Sequence, residues 1–326
     1  MTVEILGYTT DGATRLDDVA TASDADETIW VRLTEPTDDE LSAVMDAFGV
    51  HHLSVEDVQN NVRPKVEEFP DHTFVLIKTA HLRRGDTTFD EELAEQPVGL
   101  FLGDGWLVTL THEDVDAVDR PWQRLQTGDD RLLTRGPDHL VYRVADNVVD
   151  GYFGLLDGIE SHIERIEDDV ISDPDIETLE AINVARRDLL SVRKLLWPTR
   201  EAVGTLWRGD PDQVQEATEK YFRDVYDHVV QLVDLAETYR ELTAGARDIY
   251  LNSLSMSTNE VMKTLTVVAT IVLPLTLVVG WFGMNFEGGP FNMPELHWTY
   301  GYPAAVVGMV GITLVLLVYF RREGWL

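Results

Sequence analysis

The chain has no cysteine among its 326 residues, which excludes disulfides and thiolate metal sites. It is also poor in positive charge. Lys plus Arg number 26 against 58 Asp plus Glu, a formal net charge of −32 at pH 7, and only five of the 26 are lysine. A protein that grips nucleic acid needs a basic surface to neutralise phosphates, so no nucleic-acid partner is expected. The acids are spread over the whole chain before residue 260. That spread fits a hydrated, soluble surface in a salt-rich cytoplasm better than a dedicated patch for a cationic partner. There is no G-x-x-x-x-G-K-[ST] loop to bind ATP, and the nine histidines show no H-E-x-x-H spacing. With no nucleophile–base pair either, the sequence does not read as an enzyme. The opening MTVEILGYTTDG lacks the basic region and long apolar core of a signal peptide.

Charge itself is missing from two stretches near the C-terminal end. Residues Thr264 to Phe286 and Trp298 to Phe320 are 23 residues each without Asp, Glu, Lys or Arg. About 20 such residues cross a bilayer as a helix, and soluble domains rarely bury two adjacent helices that are apolar all round. Lys263 precedes the first stretch, and Arg321 and Arg322 follow the second. The connector 287–297 carries Glu287 and Glu295 but no Lys or Arg. The positive-inside rule then places both termini in the cytoplasm and the connector outside a cell membrane crossed twice. Trp281, Trp298, Tyr300 and Tyr302 suit the outer interface.

Three segments follow. Residues 1–135 form a cytoplasmic α/β domain in which TIWVRL (29–34), TFVLIKTAHL (73–82), VGLFLG (98–103) and WLVTLTHE (106–113) read as strands. Gly103, Asp104 and Gly105 suggest a hairpin between the last two, and DDELSAVMDAFG (38–49) reads as a capped helix ending in glycine. Residues 136–260 form a stalk of long helices. Its first apolar stripe is Leu140, Val144, Val148, Tyr152, Leu155, Ile159, Ile163 and Ile166. A second helix from about Ile176 to Trp207 is expected to kink or end at Pro198. Residues 261–326 form a two-helix transmembrane pore domain. The expected fold class is α+β, a mixed sheet with helices, followed by long helices and two transmembrane helices.

From Asp212 to Leu273 there is no proline and one glycine, Gly245, so residues 212–281 read as nearly one helix. Steps of four and three along it meet Asp248, Asn252, Ser255, Asn259, Met262, Thr266, Ala269, Leu273, Thr276 and Gly280. That is a heptad seam, but polar or small where a coiled coil would be aliphatic. Two uses fit it. Small residues let helices pack closely, with hydroxyls bonding across. Alternatively, several copies of the chain face a wet path, since polar groups at membrane depth usually line a bundle interior or pore. Two spans cannot enclose a pore, so the second use requires a symmetric oligomer. Met262, Leu265 and Leu273 would then be hydrophobic constrictions that gate by dewetting.

The first span ends in Gly283-Met284-Asn285. As a tripeptide this suits a helix C-cap. In its setting, after a proline-containing span and before a short acidic connector, it is much more specific. With YFRDVYDH (221–228), TNEVMKTLT (258–266), LPLT (273–276), FGMNF (282–286), MPEL (293–296) and VYFRREGWL (318–326), the chain resembles the CorA-type magnesium channels and transporters, whose signature is the GMN motif. The resemblance covers about residues 55 to 326. The connector departs from the pattern through the extra residues GGPFN (288–292), which changes the outer mouth.

That resemblance implies a funnel-shaped homopentamer with one central pore. It implies that Asn285 forms a ring at the pore entrance, with Gly283 and Met284 shaping the turn. Asn259 and Asp248 fall near the cytoplasmic end of the pore, Thr276 and Gly280 nearer the outside, and Met262, Leu265 and Leu273 at the apolar gate. It also implies that cytosolic Mg²⁺ is sensed at subunit interfaces by Asp224, with His228 one turn on, facing Asp57 and its neighbour Glu56. The alternative for these acids is membership of the general acidic surface. Mg²⁺ would be both transported and regulatory, with Co²⁺ or Ni²⁺ as further cargo. A zinc transporter of the same superfamily and a non-conducting membrane-anchored coiled-coil scaffold are the competing expectations.

Overall fold

The structure is a computed structural model that describes residues 2–84, 91–172, 174–284, 293 and 297–325. The chain divides into two compact units, residues 1–247 and 248–326.

In the first unit, among the described residues, one sheet of seven strands runs in the order β2-β1-β3-β7-β6-β5-β4. These are β1 Val3–Thr9, β2 Gly12–Leu16, β3 Thr28–Thr34, β4 Lys65–Glu68, β5 His72–Arg84, β6 Glu91–Gly103 and β7 Trp106–Thr111. All neighbours are antiparallel except β3 and β7, which are parallel, so the sheet is mixed as expected. The predicted hairpin joins β6 to β7 at Gly103↔Trp106. Gly105 turns it with φ 80, a backbone region that glycine enters without a Cβ penalty.

Period-two alternation along the strands assigns each side chain to a face. Ile29, Val31, Leu33, Phe74 and Leu76 pack with Leu41, Val44 and Phe48 of α2 (Asp38–Phe48) and with Val55 and Val58 of α3 (His52–Gln59). The intervening Trp30 lies on the opposite face, fully buried, edge-on to Trp122 at 5.0 Å. Trp122 belongs to α4 (Asp116–Gln126). A sheet covered on both faces needs apolar residues at nearly every position, which is why these strands read as continuous apolar runs. Helix α2 begins with a capping box between Thr37 and Glu40 and ends at Gly49, φ 65, as its sequence signals require.

Helix α6 (Pro137–Ser172) buries all eight residues of the expected stripe. Tyr152, at its middle, donates its hydroxyl hydrogen to the Lys78 carbonyl of β5. Helix α7 (Ile176–Trp207) runs through Pro198 rather than ending there. Thr199, fully buried, returns its hydroxyl to the Leu195 carbonyl at 2.8 Å. Helix α8 (Glu216–Phe282) begins where the buried Asp138 accepts the Gln215 amide at 3.1 Å. Its first half buries Phe222, Val225, Val229, Leu232 and Tyr239.

One buried group on α6 makes folding sensitive to acid. His139 is 7% exposed, and burial, then Arg135, lower its pKa from 6.5 to about 4. The unfolded chain therefore takes up this proton first as pH falls. Stability is intact at neutral pH and lost progressively below about pH 6.5. Between pH 7 and pH 5 this one group removes about 2 kcal/mol. His139→Phe should narrow the drop in thermal midpoint between those two pH values. An equal drop in both proteins would clear His139 of the effect.

The second unit contains the C-terminal part of α8 and helix α9 (Gly301–Arg322). Both helices carry an apolar window with mean hydropathy of 2.2 and 2.3, and only 6% of each window is buried. Core helices of a soluble domain would bury such windows, so these two have the length, composition and exposure of membrane spans. Val267 and Phe320 are buried in this unit, and the Lys263 ammonium donates to the Gly324 carbonyl at 2.8 Å.

Candidate functional site

The polar seam lies wholly within the second unit. Its members Asp248, Asn252, Ser255, Asn259, Met262, Thr266, Leu273, Thr276 and Gly280 are exposed, and Ala269 is half-buried. Leu265, beside the seam, is 67% exposed, as is Leu273. The contacts with the second span do not cover this stripe. Its hydroxyls are arranged in one way. Ser255 donates to the Leu251 carbonyl at 2.9 Å, Thr266 to Met262 at 2.7 Å and Thr276 to Val272 at 2.9 Å. Each hydroxyl hydrogen is thus used within the helix. What it offers outward is the remaining lone-pair capacity of its oxygen, an acceptor.

At the end of α8 the Gly283 amide donates to the Val279 carbonyl at 2.9 Å, and Met284 to Trp281 at 3.3 Å. A Cβ on Gly283 would meet the Val279 oxygen at 3.0 Å. That close approach accounts for glycine at this position. Asn285, Glu287 and Glu295 lie outside the described residues.

A second constellation sits in the first unit. Asp146 and Asp150 are four apart on α6, on one face, and His228 comes from α8. One ligand atom from each lies within 4.8 Å of the others. The sequence builds this from two buried stripes. Val144 and Val148 anchor α6 around the carboxylates, and Val225 and Val229 anchor α8 around the imidazole. The His228 ring stands edge-on to Phe153 at 5.9 Å, and its Nδ1 is buried without a hydrogen-bond partner. Asp146 is paired with Arg143 at 2.7 Å. Burial nevertheless raises the Asp146 pKa, with the charges of Asp150 and Asp224 adding to the effect and Arg143 opposing it. Carboxylate oxygens and an imidazole nitrogen are ligands for a divalent cation.

Of the predicted sensor residues, the structure brings His228 into this cluster. Asp224, one turn before it, is exposed and close enough for its charge to act on Asp146. Asp57 lies on α3, where it accepts from the Lys65 ammonium at 2.6 Å, and Glu56 beside it is exposed. Neither belongs to the cluster within one chain. Asp146 and Asp150 escaped the sequence reading. Their four-residue spacing beside the apolar stripe was the available signal, hidden among 58 acids.

The CorA-like Mg²⁺ transporter protein family model matches residues 25–322. The chain belongs to the CorA family. It is 35% identical to the cobalt/magnesium transport protein CorA of Thermotoga maritima, over 99% of this chain and 92% of that one. It is 28% identical to the cobalt/magnesium transport protein CorA of Methanocaldococcus jannaschii, over 91% of each. The complete structure of the CorA magnesium transporter from the latter organism superposes with a TM-score of 0.84 at 25% identity. That match covers 100% of this chain and 99% of the other. A mixed sheet with helices, then a long helix and a C-terminal apolar helix, is therefore the CorA fold, and the family is one of transporters.

Proposed function

We propose that copies of this chain, five by resemblance to the CorA family, form a funnel-shaped membrane channel. It admits Mg²⁺, and also Co²⁺ or Ni²⁺, passively into a cytoplasm that holds both termini. The observation that carries this reading is the uncovered polar seam on an otherwise apolar span. A helix pair too small to enclose a path presents hydroxyl and amide oxygens along one line, and symmetry supplies the other walls.

The chemistry suits a hydrated ion. Mg²⁺ dehydrates reluctantly and keeps its waters. Those waters present hydrogens outward and need acceptors. Thr276, Thr266 and Ser255 offer acceptors because their own hydrogens are occupied. An Asn285 ring would begin the row with neutral amide oxygens, strong enough to bind water and too weak to trap the ion. Glu287 and Glu295 concentrate cations at the mouth without ligating them. Leu273, Leu265 and Met262 interrupt the row with apolar side chains that close by dewetting.

Gating follows from the Asp146, Asp150 and His228 cluster with Asp224 beside it. Unit charges of one sign about 4 Å apart repel by between about 1 and 4 kcal/mol, depending on how far water screens them. A cation held there, with Asp57 and Glu56 reaching across from a neighbouring subunit, removes that repulsion and holds the interface shut. When cytosolic Mg²⁺ falls, the site empties and the interface loosens.

The driving force is the membrane potential, about 4.6 kcal/mol per 100 mV for a divalent ion. Mg²⁺ influx into proteoliposomes should therefore rise steeply with an inside-negative potassium diffusion potential and need no ATP. Flux insensitive to the potential would overturn the passive mechanism. No flux at any potential would leave the scaffold reading. His228 gives one reason to keep zinc in view, since an imidazole nitrogen suits Zn²⁺ better than Mg²⁺. Competition between the two ions for the same flux separates these readings.

A further inference from the structure

A chain with so few basic residues gathers four arginines around one cavity. Arg124, Arg131, Arg135 and Arg143 line a space of about 530 Å³ with Asp130. The cavity forms where the end of α4, the short helix α5 (Asp130–Leu133), the start of α6 and Tyr221 of α8 meet. His139, Tyr142 and Tyr221 also line it, with ring centroids 5.0 to 5.2 Å apart.

Two of the guanidinium groups are neutralised locally. Arg124 binds Asp129 through Nε at 2.8 Å, and Arg143 binds Asp146 at 2.7 Å. The other two are held less closely, Arg131 only feeling the nearby Asp129 charge. Among the described residues, Arg131 and Arg135 form no ion pair. Arg135 instead lies 5.9 Å over the Tyr221 ring. His139 borders the same cavity. It is more than nine-tenths buried, lines the cavity, and its Nδ1 has no hydrogen-bond partner. After burial, the causes that keep this imidazole neutral include the positive charges of Arg135 and Arg143, with Asp138 opposing. An anion placed there would meet the same positive field and lower its energy in it.

We propose that this cavity is a binding site for a phosphate-bearing anion, held by Arg131 and Arg135. Guanidinium forks match phosphate oxygens in a bidentate manner, and the volume lies in the range of ordinary small-molecule sites. The same chemistry serves a nucleotide or a bare polyphosphate, and the probes below separate the two.

The test uses the full chain in detergent with divalent cations chelated. Metal complexes of the probes then play no part, and the result is independent of any flux. Isothermal titration with ATP, tripolyphosphate and inorganic phosphate should show saturable binding at physiological salt, with Kd below about 1 mM for a polyphosphate. Tighter binding of ATP than of tripolyphosphate marks a nucleotide site, and equal binding a polyphosphate site. Arg131→Ala with Arg135→Ala should weaken binding by about tenfold or more, since a hydrogen bond to a charged group contributes about 1.5–3 kcal/mol. Arg143 is left intact because it also holds Asp146. The control, Arg186→Ala with Arg187→Ala on exposed positions of α7, makes the same change in charge and should leave binding as it was. Equal weakening in both double variants, or no saturable binding to the wild type, would overturn the site.

Discussion

Asn285→Ala should reduce Mg²⁺ influx into proteoliposomes to the background of protein-free vesicles, with the oligomer still assembled. The amide is expected to meet the hydration shell of an incoming ion, whose waters are strongly polarised. Hydrogen bonds to charged groups are each worth about 1.5–3 kcal/mol, about tenfold or more per contact, and a ring loses one from every subunit at once. Alanine offers no acceptor, and the ion must then shed or strain water that Mg²⁺ releases reluctantly. Asn285→Asp separates chemistry from shape. It keeps the side-chain size and adds a charge, so it should saturate at lower Mg²⁺ and pass less at saturation, because tighter sites slow exit. Unchanged influx in Asn285→Ala would remove the residue from the permeation path and favour a scaffold.

The parts of this molecule that were legible in its sequence are those where one physical demand dominated. Strands β3 and β7, and the inner parts of β5 (Phe74–Ile77) and β6 (Val98–Leu102), are covered on both faces, so burial makes most of their positions apolar. The two edge strands were missed for the opposite reason. Edges are kept polar or charged to prevent further pairing. β2 (GATRL) and β4 (KVEE) accordingly carry little apolar signal, with Lys65 of β4 tied to Asp57 and Glu67. β1 was overlooked although Ile5, Leu6 and Tyr8 are buried. Its apolar run is interrupted by Glu4 and Gly7 and needs β3 alongside to declare itself. Helix α8 was readable because nothing in it breaks the period until Pro274, and even there the helix continues. Of the two outcomes expected at Pro198, a kink or an end, the end does not occur, since neighbouring packing can keep a helix going past a proline.

The cation cluster shows where reading a single sequence stops. His228 stands out in YFRDVYDH as one of only nine histidines. Asp146 and Asp150 have no such rarity, and only the packing of α6 against α8 reveals that they face it. The pairing of Asp57 with Lys65 likewise depends on how β4 folds back beside α3.

Asp146→Asn combined with Asp150→Asn should abolish the stabilisation of the protein by Mg²⁺ and shift the inhibition of influx by internal Mg²⁺ at least tenfold upward. The argument rests on Asp146, whose pKa burial raises. A raised carboxyl pKa means that the folded state holds its proton to a higher pH than the unfolded state. Above that pKa the ionised group opposes folding, and at neutral pH an empty site carries this penalty. A bound cation removes it and adds its own linkage, about 2.7 kcal/mol when free ion exceeds Kd a hundredfold. Wild type should therefore gain thermal stability with Mg²⁺ at neutral pH. The gain should shrink as pH falls towards the raised Asp146 pKa, where proton and cation compete for one oxygen. Asparagine at both positions keeps size and one acceptor oxygen but has neither charge nor proton to exchange, so both the gain and its pH dependence should vanish. Influx at zero internal Mg²⁺ should persist, because the seam in the second unit is untouched. A double variant with the wild-type Mg²⁺ midpoint would mean that control lies elsewhere, with Asp57 and Asp224 the next residues to neutralise.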